Sequence, residues 1–176
     1  MMINLNGVNY YYEIEGNGEP LVLLHGFTGD HTTWKNSNLK QYFQVITIDI
    51  IGHGATDSPE SFERYSMKQV ANDLATLLKR LDIKQINLLG YSMGGRLALS
   101  FAMYYPKYIK RLVLESSSPG LKTAEERKKR ISHDEKLANM IRNEGITKFV
   151  NYWGNIPLFA SQKNLPKMQQ EAIRKQ

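Results

Sequence analysis

The six residues Gly90-Tyr91-Ser92-Met93-Gly94-Gly95 set a serine between glycines at Gly-x-Ser-x-Gly spacing. An apolar run, Ile86 to Leu89, precedes them, and a helical pattern from about Met93 to Tyr105 follows. A strand-to-helix context of this kind marks a nucleophile elbow, in which the chain reverses so sharply that the serine is forced into a strained backbone conformation. Gly90 and Gly94 remove the side chains that would collide around it. Its hydroxyl then stands above the strand end, and the helix beginning at Met93 aims its first N–H groups at the same place. A second donor is expected from His25-Gly26-Phe27, at the end of an earlier apolar run. The backbone N–H groups of Phe27 and Met93 are therefore the candidate oxyanion donors, with His25 shaping the loop. The competing reading is a phosphate-binding glycine turn, which does not account for the second loop.

Other chemistry is limited by composition. The chain of 176 residues has no cysteine, so it has no thiolate zinc site and no disulfide framework, and its four histidines lack metal-ligand spacing. No metal is expected. Its formal charge of +6 is unevenly spread. Residues 1 to 120 hold 11 Lys and Arg against 11 Asp and Glu, whereas residues 121 to 176 hold 12 against 6. A basic segment beside a neutral body suits nucleic acid, a membrane surface, a polyanionic small molecule, or simply a solvated helix face. Arg96 lies one turn into the elbow helix, where its planar fork can meet a substrate carboxylate in two-pronged fashion; an ordinary surface ion pair is the alternative. Arg127, Lys128, Lys129 and Arg130 are not separable by spacing alone. Trp153 reads equally well as a core aromatic or a substrate platform.

The elements that must hold these residues follow from periodicity. Two alternating runs joined by Asn6-Gly7 predict an antiparallel hairpin. The runs Leu21 to Leu24, Val45 to Ile50, Ile86 to Leu89 and Leu112 to Leu114 lack alternation, as strands buried on both faces do, and predict a mostly parallel sheet. Ser66-Met67-Lys68-Gln69 reads as a capping box opening a helix with Met67, Val70, Leu74, Leu77, Leu78 and Leu81 on one face. Trp34 to Tyr42 is a weaker helical candidate. Beyond Pro119-Gly120 the pattern is helical throughout, over Thr123 to Asn143, Ile146 to Tyr152 and Leu165 to Gln176, with a loop around Asn155 to Pro157. The expected division is a core over residues 1–120 and a helical cap over 121–176. No apolar run nears the roughly 18 residues of a membrane helix, and the N-terminal stretch lacks signal-peptide layout. Export is unsupported, and a cytoplasmic location without membrane insertion is expected.

Leu23-Leu24-His25-Gly26-Phe27, Asp49-Ile50-Ile51-Gly52-His53-Gly54 and the elbow together resemble the α/β-hydrolase superfamily in order and spacing. In that superfamily the acid and histidine follow the serine, so Asp49 and His53 lie on the wrong side to join a triad. A narrower resemblance rests on Tyr91 to Arg96, Leu114-Glu115, Ser118 to Leu121, Ala124 to Arg127 with Arg130, Asn151 to Trp153 and Pro157 to Ser161. These resemble the 2-succinyl-6-hydroxy-2,4-cyclohexadiene-1-carboxylate synthases of menaquinone biosynthesis. The resemblance implies a cofactor-free lyase whose serine starts proton abstraction and elimination of pyruvate. It also implies a substrate with several carboxylates, held by Arg96 and Arg130 and lined by Tyr91 and Trp153, and no nucleic acid partner.

An elbow serine needs a base and an acid to orient that base. After Ser92 the only histidine is His133, beside Asp134 in a Lys- and Glu-rich helical stretch. Adjacent helical residues diverge, so this pair is expected to be surface. The resemblance places the missing Asp and His beyond Gln176, and the expectation is an N-terminal portion of a larger enzyme, with Leu112 to Leu114 as an uncovered sheet edge able to self-associate. A serine esterase or carbon-carbon bond hydrolase of the same fold, and a non-catalytic oligomeric module, remain the alternatives.

Overall fold

The computed structural model describes residues 1–175 and divides into two compact units, Met1–Pro119 and the chain from Gly120 onward. In the first unit β1 (Met2–Leu5) and β2 (Val8–Glu15) form the expected antiparallel hairpin. Asn6 and Gly7 turn it with φ of 51° and 88°, the left-handed pair that matches strand twist. The hairpin joins β3 (Glu19–Leu24), β4 (Phe43–Ile48), β5 (Ile86–Tyr91) and β6 (Ile109–Glu115) in one sheet of order β1-β2-β4-β3-β5-β6. β2 runs antiparallel to β4, and the β4–β3, β3–β5 and β5–β6 pairs are parallel.

The absence of alternation in β3 and β4 has a direct cause. Val22, Leu24, Ile46 and Ile48 face a large core with α1 (Met67–Arg80) and α2 (Met93–Tyr104), while Leu21, Leu23 and Val45 face a small cluster with Trp34, Leu39 and Leu89. Period 2 is present, but both faces are apolar. β6 is the last strand of the sheet, with Val113 and Leu114 exposed by 51% and 41%.

Two local expectations are corrected. Trp34 to Tyr42 is not an α-helix: 3₁₀ turns occupy His31–Trp34 and Leu39–Gln41, with Asp30 capping the first through Thr32 N–H at 2.8 Å. Asn36, Ser37 and Asn38 between them compete with helical hydrogen bonds, which overrides the apolar spacing. Ser66 does cap α1, accepting from the Gln69 N–H at 3.4 Å, but the return half of the box is not made; the Gln69 carboxamide faces Arg64.

In the second unit α3 (Ala124–Glu144) has a reciprocal box, with the Glu126 N–H donating to Thr123 Oγ1 at 3.1 Å and the Thr123 N–H to Glu126 Oε2 at 2.8 Å. Gly145, at φ 83°, ends it, and α4 (Ile146–Trp153) follows. The expected loop is present at Asn155 and Ile156; a 3₁₀ segment, Pro157–Asn164, kinked at Phe159, follows it, and α5 (Lys167–Lys175) begins only after Pro166 rather than at Leu165. Gln176 lies outside the described residues.

Candidate active site

Ser92 sits between β5 and α2 with φ 52° and ψ −111°, a backbone conformation that costs a non-glycine residue free energy and persists only where packing imposes it. Its N–H donates to the Glu115 carbonyl of β6 at 2.9 Å, and its carbonyl accepts from the Arg96 N–H at 3.2 Å. The reversal is tight. A Cβ on Gly90 would lie 2.3 Å from the Gly94 carbonyl oxygen, and one on Gly94 would lie 2.3 Å from that of Leu24. The elbow helix thus rests directly on the end of β3. Met93 opens that helix, so its N–H is among those that α-helical bonding leaves unused.

The second loop meets the first at Gly26. A Cβ there would lie 3.0 Å from the Tyr91 ring and 3.7 Å from Ser92 Cβ, so the glycine lets the His25-Gly26-Phe27 loop come close without displacing the Tyr91 ring. His25 is fully buried and orients it. The Ile50 N–H donates to His25 Nε2 at 3.0 Å, which fixes that nitrogen as the acceptor. Nδ1 therefore carries the proton and donates to the Gly26 carbonyl at 2.7 Å. Burial lowers the His25 pKa from 6.5 to about 4, with smaller effects from neighbouring charges, so the ring is neutral near pH 7. The Gly26 carbonyl and the Phe27 N–H share one peptide plane and point in opposite directions. Holding the carbonyl therefore aims the N–H.

Asp49 and His53 are committed elsewhere. The Asp49 carboxylate, fully buried, accepts from the His31 N–H at 2.6 Å, His31 Nδ1 at 2.9 Å and the Ala55 N–H at 2.9 Å. His53 contacts the carbonyls of Ile51 and Phe27. Among the described residues the Ser92 hydroxyl has no hydrogen-bond partner, so no histidine in this chain is in place as its base. His133 is exposed on α3, and Asp134 beside it holds Arg130 through Oδ1 and Oδ2 at 2.8 Å each.

The arginines divide clearly. Arg96 is half-buried one turn after Ser92, and among the described residues its guanidinium has no carboxylate or hydrogen-bond partner. Arg127 donates to the Leu121 and Lys122 carbonyls, stiffening the approach to α3, and Arg130 is paired with Asp134. Trp153 stacks on Phe149 at 5.6 Å and meets Phe159 at 5.9 Å. A cavity of about 130 Å³ lies elsewhere in the first unit, lined by Glu13, His31, Trp34 and Lys40 rather than by the elbow.

A family model described as alpha/beta hydrolase fold matches residues 19–168. The chain belongs to this family. The α/β-hydrolase chain is 48% identical, over 91% of its length and 60% of the relative's, to a Bacillus subtilis protein described as a candidate 2-succinyl-6-hydroxy-2,4-cyclohexadiene-1-carboxylate synthase. It is 33% identical to the synthase of that name from Klebsiella pneumoniae, over 82% of this chain and 58% of the other. The solved structure of MenH from S. aureus superimposes with a TM-score of 0.86 at 38% identity, covering 95% of this chain and 64% of that one. The α/β-hydrolase chain thus spans about three-fifths of the length of the relatives it matches.

Two clusters escaped the sequence reading. Asp73 is fully buried on α1 and accepts from Tyr10 Oη at 2.7 Å, Arg64 at 2.8 Å and Asn6 at 2.8 Å. An acidic residue on the apolar face between Val70 and Leu74 was the available signal. His31, which holds Asp49, had none.

Proposed function

We propose that Ser92 is the catalytic residue of a cofactor-free lyase that forms 2-succinyl-6-hydroxy-2,4-cyclohexadiene-1-carboxylate by eliminating pyruvate from a succinyl-enolpyruvyl-hydroxycyclohexene-carboxylate. The observation that carries this reading is the juxtaposition of a strained serine with a half-buried arginine, one turn away, that has no partner among the described residues. An ester hydrolase has no need of an uncompensated cation there, whereas a substrate with several carboxylates supplies its missing partner. The names of the relatives at 48% and 33% identity support the same choice.

In this mechanism a base takes the Ser92 proton, and the resulting alkoxide takes a carbon-bound proton from the substrate ring. The electrons of the broken carbon-hydrogen bond shift to form the new ring double bond, the ring carbon-oxygen bond to the enolpyruvyl group breaks with its electron pair leaving on oxygen, and the enolate so released gains a proton on carbon to become pyruvate. The Phe27 and Met93 N–H groups stabilise negative charge that builds on a substrate oxygen before the bond breaks. Arg96 pairs with one carboxylate. Arg130 exchanges Asp134 for another, and Tyr91 and Trp153 line the substrate. The base and its orienting acid are supplied by polypeptide outside this chain, in keeping with relatives longer than it is. The same reading extends to β6, whose exposed edge pairs with further chain or, failing that, with a second copy.

Pyruvate release from the enolpyruvyl substrate tests the proposal. The 176-residue chain alone is expected to release it negligibly, and the chain joined or mixed with a complementing C-terminal polypeptide to release it at a rate abolished by Ser92→Ala. Turnover by the chain alone that Ser92→Ala removes would mean that the base lies within these residues. An enzyme active on simple esters but inert on the enolpyruvyl compound would favour the esterase reading.

A further inference from the structure

The β4–α1 loop carries a histidine that the mechanism above does not use. His53 Nδ1 lies 3.1 Å from the Ile51 carbonyl of its own loop, and Nε2 contacts the Phe27 carbonyl, 26 residues earlier in the chain. Its ring also meets the Phe27 ring edge-on, at 6.0 Å and 77°. His25 fixes the peptide on one side of Phe27 through the Gly26 carbonyl; His53 holds the peptide on the other side. Between them they leave the Phe27 N–H little freedom to turn.

We propose that His53 is a positioning residue for the Phe27 oxyanion donor, clamping the loop through a backbone carbonyl at each ring nitrogen. This rests on the reading of Phe27 as a donor to the reacting substrate. The chemical reason is that carbonyl oxygens only accept. A neutral imidazole has one N–H, so it can satisfy either Ile51 or Phe27 while its other nitrogen sets a lone pair against an oxygen. The imidazolium satisfies both, and charge-assisted bonds are the stronger kind. The titratable group facing His53 from the end of β3 is His25, with ring centroids 5.2 Å apart, and it is uncharged near neutral pH because it is buried and accepts from Ile50. On the β4–α1 loop the charged groups nearest in sequence are Asp49, four residues earlier, whose carboxylate is occupied by His31 and Ala55, and Asp57, four residues later, which accepts from the Asn9 N–H. Without the ring the Phe27 and Ile51 carbonyls lose this partner and the oxyanion loop loosens.

Two measurements test this separately from the proposed reaction. In the 176-residue chain, the Phe27 amide resonance and its hydrogen exchange are compared between wild type, His53→Gln and His53→Phe. The expected result is a shifted, faster-exchanging Phe27 amide in His53→Phe and an intermediate one in His53→Gln. Ser92→Ala, which ends any reaction, should leave that series unchanged. In the complemented enzyme, His53→Phe should lower kcat by about tenfold to a hundredfold with KM little altered, since the donor acts on charge that develops in the transition state. His53→Gln, which keeps one donor, should fall between this variant and the wild type. A Phe27 amide that ignores both substitutions overturns the proposal whether or not the enzyme turns over pyruvate. Equal losses in Gln and Phe variants that appear in KM overturn it as well.

Discussion

The Gly94 Cα stands so close to the Leu24 carbonyl that an added Cβ would lie 2.3 Å from its oxygen and 2.5 Å from that of His25. This contact joins the serine elbow to the strand that carries the oxyanion loop. Both obstructing atoms are backbone, so neither can rotate away. Gly94→Ala is expected to push α2 off β3 and to destabilise the fold by about 1–3 kcal/mol, the range for overpacking, with urea unfolding as the measure. An alanine variant as stable as the parent would show that the helix has room to slide.

His25 makes stability depend on pH. Its folded pKa, lowered from 6.5 to about 4 by burial, lies below the unfolded value, so between those limits the unfolded chain binds the extra proton and the folded one does not. Stability from this group is intact above pH 6.5 and is lost as pH falls toward 4, by on the order of 3 kcal/mol in total. Unfolding free energies of wild type and His25→Asn at pH 7 and 4.5 provide the check. The difference between the two pH values should shrink in the variant, and an unchanged difference would assign the acid sensitivity to other groups.

Asp73 ties the N-terminal hairpin to α1 and to the preceding turn through Tyr10, Asn6 and Arg64. Burial, reinforced by the adjoining carboxylate, raises the Tyr10 pKa strongly, so its hydroxyl remains a donor across the accessible pH range. Tyr10→Phe should cost about 1 kcal/mol, because Asp73 keeps two donors. Asp73→Ala should cost about 3 kcal/mol, since it leaves the half-buried Arg64 charge and the buried Tyr10 hydroxyl without their acceptor. Chemical denaturation distinguishes them, and equal effects would mean that the hydroxyl, not the ion pair, holds the hairpin.

What was legible in the sequence was what short segments decide. The Asn6-Gly7 turn, the strained Ser92 and the Thr123-led helix follow from residues within a few positions of one another, and the structure has each of them. The hub at Asp73 was not legible, because Tyr10 lies 63 residues away and a lone acid on an apolar helix face does not say what answers it. His31 was passed over for the same reason: its partner Asp49 is 18 residues on and looks like a candidate acid until its bonds are counted. At Trp34 to Tyr42 apolar spacing misled, since three small polar residues outweighed it.

The edge of the sheet gives a prediction about association. β6 is bonded on one side only, to β5, and exposes Val113 and Leu114. Such an edge offers both ladder groups and apolar surface to a second chain. The 176-residue protein is expected to scatter light as a dimer or larger at micromolar concentration, and Val113→Lys to shift it toward monomer. A monodisperse wild-type monomer that melts cooperatively would count against self-pairing.

Arg96 distinguishes the proposed synthase reaction from general esterase activity. It is a half-buried cation near Ser92 with no partner among the described residues, so a substrate carboxylate that reaches it displaces no ion pair with a described residue. In the complemented enzyme Arg96→Ala should cost roughly 2–5 kcal/mol of transition-state stabilisation on the enolpyruvyl substrate, as expected when a desolvated charge loses its mate. Arg96→Lys should recover little, because an ammonium cannot make the two-pronged contact. Arg130→Ala should show a loss of the same sign, smaller by whatever its existing bond to Asp134 already compensates. A neutral activated ester presents no carboxylate, so its slow hydrolysis by the same serine should hardly change. The informative quantity is the ratio of the two losses for each variant. If Arg96→Ala lowers both activities equally, the arginine supports the elbow helix; if the anionic substrate loses less than about tenfold, the pairing is no stronger than that of an exposed ion pair.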